Sequence, residues 1–495
     1  MKEIMQNKNT FTRIILSSLI VTLLSCNNLD LSPISSYNAE SFYKTQSDFK
    51  LAVTGLYDKL QDLHSYSYYP FCLEARSDNV NTETVYDAGL CSQFVDNETT
   101  SSLAGMWQYL YQLVDRSNAI LKRIDDATFT NEDYRKYYKG EAYFMRGYAY
   151  FQLGFLFGGV PLVDSQKNAD EIKTIVRSSL DDTFAFAAKD LSQAATLLPA
   201  TWPATTELGK ATQYAAKGFL ARMYLFQKKY SDAKPLLYDI ISSGKYVMAT
   251  NFGDCFIDKY DNSAEHVFQI QYMSGNVGEG NVLPVVSAPE SIKSDLFPQG
   301  GGSPYLHVAY DLYNSYSSVD IRRDWTIQKG YTNKSGGVDN VTCFYIKFAH
   351  GTIPATKDDY EVNLPLLRYT DVLLMYAEVL NELGYSANSE SFTILNKVRS
   401  RAGLAAQTST DLPDQASFRT AIFNERRWEF AGEFIRWFDI VRSGNAVSIM
   451  NTFLARAENG SNRYNMKDTQ TIFAIPQYEL NINTDRTVIW QNPGY

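Results

Sequence analysis

Histidine is scarce in this chain: four residues in 495, at positions 64, 266, 307 and 350. None is spaced as H-E-x-x-H, and the five cysteines contain no C-x-x-C pair, so a zinc centre is not expected. Long basic runs are missing too, and the net charge is −9, which argues against nucleic acid as a partner. Beyond the first 25 residues no apolar segment reaches the roughly 20 residues that a membrane-spanning helix needs. Motifs of catalysis fail in turn. "ELGKAT" has Gly209-Lys210 but neither the upstream glycine nor the following Ser/Thr of a phosphate loop, and "GGSPY" lacks the last glycine of a nucleophile elbow. No cofactor is therefore expected. Composition leaves glycoside hydrolysis open, because 55 acidic residues always supply some carboxylate pair.

What is present begins with a leader. Lys2, Lys8 and Arg13 precede the apolar run Ile14 to Leu24, which is too short to span a bilayer and fits a signal-peptide core. It stops at Leu23-Leu24-Ser25-Cys26, which resembles the bacterial lipobox; that resemblance implies cleavage before Cys26 and diacylglyceryl attachment to its sulfur. Each buried methylene of an acyl chain contributes about 0.8 kcal/mol, so two or three chains would hold the body on a membrane face. Removing Lys2, Lys8, Arg13 and Glu3 with the leader takes the net charge to −11. Cys72, Cys91, Cys255 and Cys343 remain, in a compartment that permits disulfides, and allow three pairings between which sequence cannot choose.

Tyrosine is the outlier, 35 residues in a chain that is 14% aromatic. Its flat apolar face and hydroxyl tip suit both helix packing and stacking on sugar rings. Helical spacing first shows at 47–63, where Phe49, Val53, Leu56, Tyr57 and Leu60 recur. Residues 64–102 read as a long irregular region, of the kind that tends to carry function. Helices then recur to about 245. In "YAAKGFLARMYLFQKKYSDAKPLLYDIISSG" Leu220, Ala221, Tyr224, Ala233 and Leu237 fit the spacing of a tetratricopeptide repeat. Between 246 and 365 the helical period fades into β-like runs such as "EHVFQIQY" and "VTCFYIKF". Helical patterns return from 366, among them "ERRWEFAGEFIRWFDIVRSG", whose opposite charges lie three and four apart and can pair along a face, a structural rather than catalytic pattern. Glu141, Arg146, Arg368, Asp371 and Glu378 read as structural in the same way.

Taken together, the lipobox, "WQYLYQLVDRSN", "GEAYFMRGYAYFQLGFLFGGVPLV", "LRYTDVLLMYAEVLNELG", "LNKVRSRAGL", the charged segment above and the closing "QNPGY" resemble the SusD/RagB family of Bacteroidetes outer-membrane lipoproteins, in the family's order and over essentially the whole chain. The resemblance implies a mostly α fold: a tetratricopeptide-like helical-repeat superhelix of about four helix pairs with an irregular loop-rich subdomain. It divides the chain into a signal peptide (1–25), an N-terminal helical region (26–245), an irregular insertion (246–365) and a C-terminal helical region (366–495). It also implies a non-catalytic protein, lipid-anchored in the outer membrane and facing the exterior, that binds oligosaccharide or polysaccharide and delivers it to a TonB-dependent, SusC-like transporter. Two departures stand out: "NNLDL" after Cys26 holds one acid where surface-exported relatives carry several, and the "NINTDRTVIWQNPGY" terminus lacks a common proline. The alternatives are a protein-interaction scaffold and a surface glycosidase.

A sugar site needs aromatic planes beside amides, carboxylates or guanidinium groups. Two regions offer them. The first holds His64, Tyr66, Tyr68, Tyr69, Arg76, Asp78, Asn79, Tyr86, Asp96 and Asn97; the second holds Asn276, Tyr305 and His307. The expected ligand-binding set is Tyr66, Tyr68, Arg76, Asp78, Tyr86, Asn97, Tyr305 and His307, with Cys26 as the lipidation site and no catalytic or metal-binding residue.

Overall fold

The computed structural model describes residues 42–65, 69–81, 87–302, 306–456 and 465–495. Cys26, Tyr66, Tyr68, Tyr86 and Tyr305 lie outside these described residues. The repeat and the charged segment that follows it are built from α1 (Gln46–Ser65), α2 (Ser101–Arg123), α3 (Glu132–Phe157), α4 (Leu180–Leu197), α5 (Gln213–Phe226), α6 (Tyr230–Ser242), α7 (Tyr369–Leu383), α8 (Glu390–Arg401), α9 (Gln415–Phe430) and α10 (Arg436–Arg442). From α1 through α2 to α7 each packs on the next, and α7 then takes both α8 and α9. This is the mostly helical, repeat-built fold with a loop-rich part that the resemblance implied. None of the helices among the described residues is long and apolar enough to cross a membrane.

The α3–α4 contact shows how the residues dictate the packing. Gly140, Gly147 and Gly154 recur every seven residues, two helical turns, and so share one face of α3. A Cβ on each would stand 2.9 Å from Leu198, 2.9 Å from Leu191 and 2.7 Å from Phe184 respectively. Bare backbone is what lets α4 approach. Aromatic rings fill the other sides: Phe144 meets Phe219 and Phe268, Phe151 meets Phe184 and Phe438, and Phe155 meets Phe226. Arg146 is satisfied in the same seam by Asp190 at 2.6 Å and Asn118 at 2.5 Å. The tetratricopeptide-like residues Leu220, Ala221, Ala233 and Leu237 are buried between α5 and α6.

Among the described residues four strands form two antiparallel pairs: β1 (His266–Ile270) with β4 (Leu364–Arg368), and the hairpin β2 (Ile327–Thr332) with β3 (Val338–Tyr345). The stretch 64–102 differs from the open loop expected of it. Among its described residues lie two short helices, Tyr69–Ala75 and Asp87–Ser92, and residues 69–80 are buried throughout. Helices of six or seven residues are too short to show a period, and Phe71, Leu73 and Phe94 draw the segment into the core. Cys72, Cys91, Cys255 and Cys343 are free buried thiols, with Cys91 facing Cys72. The closing "QNPGY" locks the terminus in place: Asn492 Nδ2 donates to the carbonyls of Phe157 and Phe473, at 3.0 and 2.6 Å, and the Tyr495 hydroxyl donates to Ile472 O at 2.9 Å.

The charged segment over α9 and α10 is structural, but its pairs run between elements more than along one helix. Glu429 receives Arg401 at 2.6 Å, Arg368 at 2.9 Å and Arg322 at 3.1 Å. Glu433 receives Lys347 at 2.6 Å and Arg368 at 2.8 Å, while Arg426 reaches Asp371 and Asp439. Of these residues Asp439 and Arg442 pair at a spacing of three. Burial penalises the Glu429 carboxylate, yet its three guanidinium partners outweigh that and hold it well below the usual carboxylate range.

Candidate ligand-binding face

The two regions singled out for ligand chemistry meet. Val80 and Val308 form an antiparallel bridge in which Asn81 N donates to His307 O at 2.7 Å and Ala309 N to Asn79 O at 2.8 Å. Val308 N also donates to Cys343 O at 3.0 Å, so the junction is continued by strand β3 of the hairpin. Immediately after it, the short helix Tyr310–Ser315 presents Tyr310 and Tyr313, one turn apart, with ring centroids 6.4 Å apart and planes inclined by 36°. Lys329 on β2 lays its ammonium 4.5 Å from the Tyr310 centroid and 5.4 Å from that of Tyr313, and donates to the Tyr310 hydroxyl. Arg323 lies 5.1 Å from the Tyr313 centroid. The result is a half-buried pair of rings with hydroxyl tips, with the Lys329 ammonium lying over both faces and the Arg323 guanidinium over that of Tyr313.

Beneath this face, expected ligand residues carry structure instead. Asp78 is buried and paired with Arg436 at 2.7 Å and Arg427 at 3.4 Å; Arg427 in turn reaches Asp311, between the two tyrosines, at 3.1 Å. Burial works against the Asp78 carboxylate, but Arg427 and Arg436 prevail and hold it well below its ordinary value. Arg76 has no exposed surface: it pairs with Asp96 at 3.2 Å, donates to the Tyr495 hydroxyl at 3.1 Å and lies over Phe94, Trp437 and Phe473. Neither charge is presented to solvent, so both depart from the ligand-contact role expected of them. A cation this deeply sunk is held by a carboxylate and ring faces because water cannot solvate it.

The remaining expectations divide. Asn97 is exposed, and its side-chain oxygen accepts from Thr99 N at 2.9 Å in the turn before α2. His307 is half-buried at the junction itself. His64 is buried, with Nδ1 2.9 Å from Leu60 O, and burial lowers its pKa to about 4. Tyr69 donates to Gln152 at 2.6 Å and Asn79 to Glu74 at 3.1 Å, both inside the core. No cluster of three or more His, Cys, Asp or Glu suited to a metal occurs among the described residues.

A model of the SusD family matches residues 305–495, and a second SusD-like model, described as starch-binding and associating with the outer membrane, matches 28–225. The chain belongs to the SusD/RagB family. Among this family's curated members it is 25% identical to "SusD-like protein P25" of Formosa agariphila, over 94% of this chain and 95% of that one. It is 26% identical to a SusD-like protein of Bacteroides ovatus, over 86% and 80%. Surface glycan-binding protein A from Bacteroides uniformis superposes with a TM-score of 0.77 at 25% identity, covering 90% of this chain and 99% of that one. The corresponding protein from Bacteroides thetaiotaomicron, solved with laminarihexaose, gives 0.76 at 22% identity over 91% and 100%.

Tyr310, Tyr313, Lys329 and Arg323 were missed by sequence reasoning. "YDLYNS" directly after the second region did carry a signal, two tyrosines at helical spacing. The lysine's place over them depends on the hairpin, which no local pattern encodes.

Proposed function

We propose that this SusD/RagB family member is a lipid-anchored, non-catalytic glycan-binding protein of the outer membrane that passes oligosaccharide to a TonB-dependent transporter. The observation that carries this reading is the Tyr310–Tyr313 platform, at the junction of the two regions the sequence marks for ligand chemistry. Half-exposed rings accept the C–H faces of sugars, while their hydroxyls and the neighbouring cations answer sugar hydroxyls. The likeness to surface glycan-binding proteins supports it. Tyr66, Tyr68, Tyr86, Tyr305, Asn97 and His307 belong to the same proposal as sequence-based candidates, and Cys26 as the lipid attachment point.

The test is calorimetry with a panel of oligosaccharides, with chromatography of each mixture for released sugars. Binding without product, weakened at least tenfold in Tyr310→Ala/Tyr313→Ala, is the expected result, since aromatic platforms contribute on the order of 1 kcal/mol or more per ring. Product formation would overturn the non-catalytic reading.

A contact with a partner protein is favoured separately by a groove of about 680 Å³ between α2, residues 161–175 and the short helix Gln477–Ile482. Its walls include the exposed side chains of Ile172, Tyr478 and Ile482, an apolar patch of the kind that marks interaction surfaces. With the transporter as partner, Ile482→Asp should weaken its co-purification and leave sugar binding unchanged; loss of sugar binding would contradict two separate surfaces.

A further inference from the structure

The cations around the tyrosine platform are not equivalent. Arg323 is neutralised by Asp324 at 2.7 Å; Arg427 is held by Asp78 and Asp311, and Arg456 by Asp311. Lys329 makes no ion pair with any described residue: its ammonium contacts the Tyr310 hydroxyl and the faces of the two rings. The β2–β3 register sets it opposite Cys343, and the nearby Asp339 carboxylate is already occupied by Val341 N, Thr342 N and the Thr342 hydroxyl, all within 2.8 Å. An exposed ammonium lying on ring faces in water is weakly held. It therefore covers the surface on which a sugar would stack and can be drawn aside by a counter-charge.

Resting on the glycan-binding reading above, we infer that this platform selects a glycan bearing an anionic group, a uronate carboxylate or a sulfate ester, and that Lys329 is the specificity-determining residue. A neutral sugar must displace the ammonium from the rings without giving it a partner. An acidic sugar gives it one, in a charge-assisted hydrogen bond stronger than a neutral one. The chain's overall negative charge repels such ligands at long range, so the preference has to be local, and it is greatest where the attraction is least screened.

Calorimetry with three probes tests this: alginate oligosaccharides for the carboxylate, κ-carrageenan oligosaccharides for the sulfate, and laminarihexaose as the neutral reference. At low salt at least one acidic probe should bind about tenfold tighter than laminarihexaose, with the advantage shrinking as salt is raised. Which acidic probe gains identifies the group. Lys329→Met should bring the classes together, and Lys329→Glu should exclude the acidic one; both sit at an exposed position, and their thermal transitions check the fold. Equal or tighter binding of laminarihexaose, or an unchanged ratio in Lys329→Met, would overturn this inference and leave the glycan-binding reading standing. Failure of all three probes and of the wider oligosaccharide panel would overturn both.

Discussion

The α3–α4 seam and the ionic cluster around α9 are both fully buried, yet they hold their elements together by different physics. In the seam, three glycines remove side chains so that backbones approach, and rings close the remaining space. In the cluster, Glu429 gathers three guanidinium groups from β4, α8 and the short helix Ile321–Thr326, elements far apart in sequence. The first is a local surface that any neighbouring helix of the right shape can use; the second is a set of specific partners, each useless without the others. The charges tie the loop-rich insertion to the C-terminal helices: Arg322 and Lys347 from within it, and Arg368 just after it, meet Glu429 and Glu433.

The largest expected effect comes from removing one partner of the cluster. Glu429→Gln leaves Arg322, Arg368 and Arg401 buried with less countercharge and should cost about 3–5 kcal/mol in urea denaturation. A loss no larger than that of a surface substitution would show that solvent reaches the cluster. Gly147→Leu tests the seam: the side chain meets Leu191 and Asp190 at once, and overpacking of this kind typically costs about 1–3 kcal/mol, read as a lower midpoint.

A third experiment separates burial from pairing by pH. Asp261, beside the β1–β4 pair, has its pKa raised to about 7, chiefly by burial, although Asn363 N donates to it at 3.0 Å. Because the folded value lies above the unfolded one, its contribution is fully present below about pH 4 and is lost as pH rises towards 7. Glu429 and Asp78, lowered by their arginines, behave oppositely and lose theirs on acidification below about pH 4. Asp261→Asn should therefore flatten the fall in stability between pH 4 and 7, by about 1–3 kcal/mol, in melts across that range. Lys329→Met, outside both regions, should change stability by no more than about 0.5 kcal/mol.

Gly140, Gly147 and Gly154 stand at a local period, but the seam they form was not anticipated from the sequence, where only the aromatic residues around them were drawn on. The aromatic residues of α3 announce a buried helix, and the helix pairs at α5 and α6 follow from small and large residues at repeat spacing. The cluster was legible as structural, but its partners were not: Arg322, Arg368 and Arg401 gain meaning only when three distant elements converge. The same limit applied to the candidate ligand face. Arg76 and Asp78 have the chemistry of a sugar site and were drawn inward by Asp96, Arg427 and Arg436. Meanwhile Tyr310 and Lys329, nineteen residues apart, become a pair through the β2–β3 hairpin.

The central claim is that the face built on Tyr310 and Tyr313 binds glycan without cleaving it. The most direct test is calorimetric titration of the purified protein and of Tyr310→Ala/Tyr313→Ala with the oligosaccharide panel, each mixture then analysed for released sugar. Saturable binding that the double substitution weakens at least tenfold, with no product, is the predicted result; binding indifferent to both rings, or release of product, would contradict it.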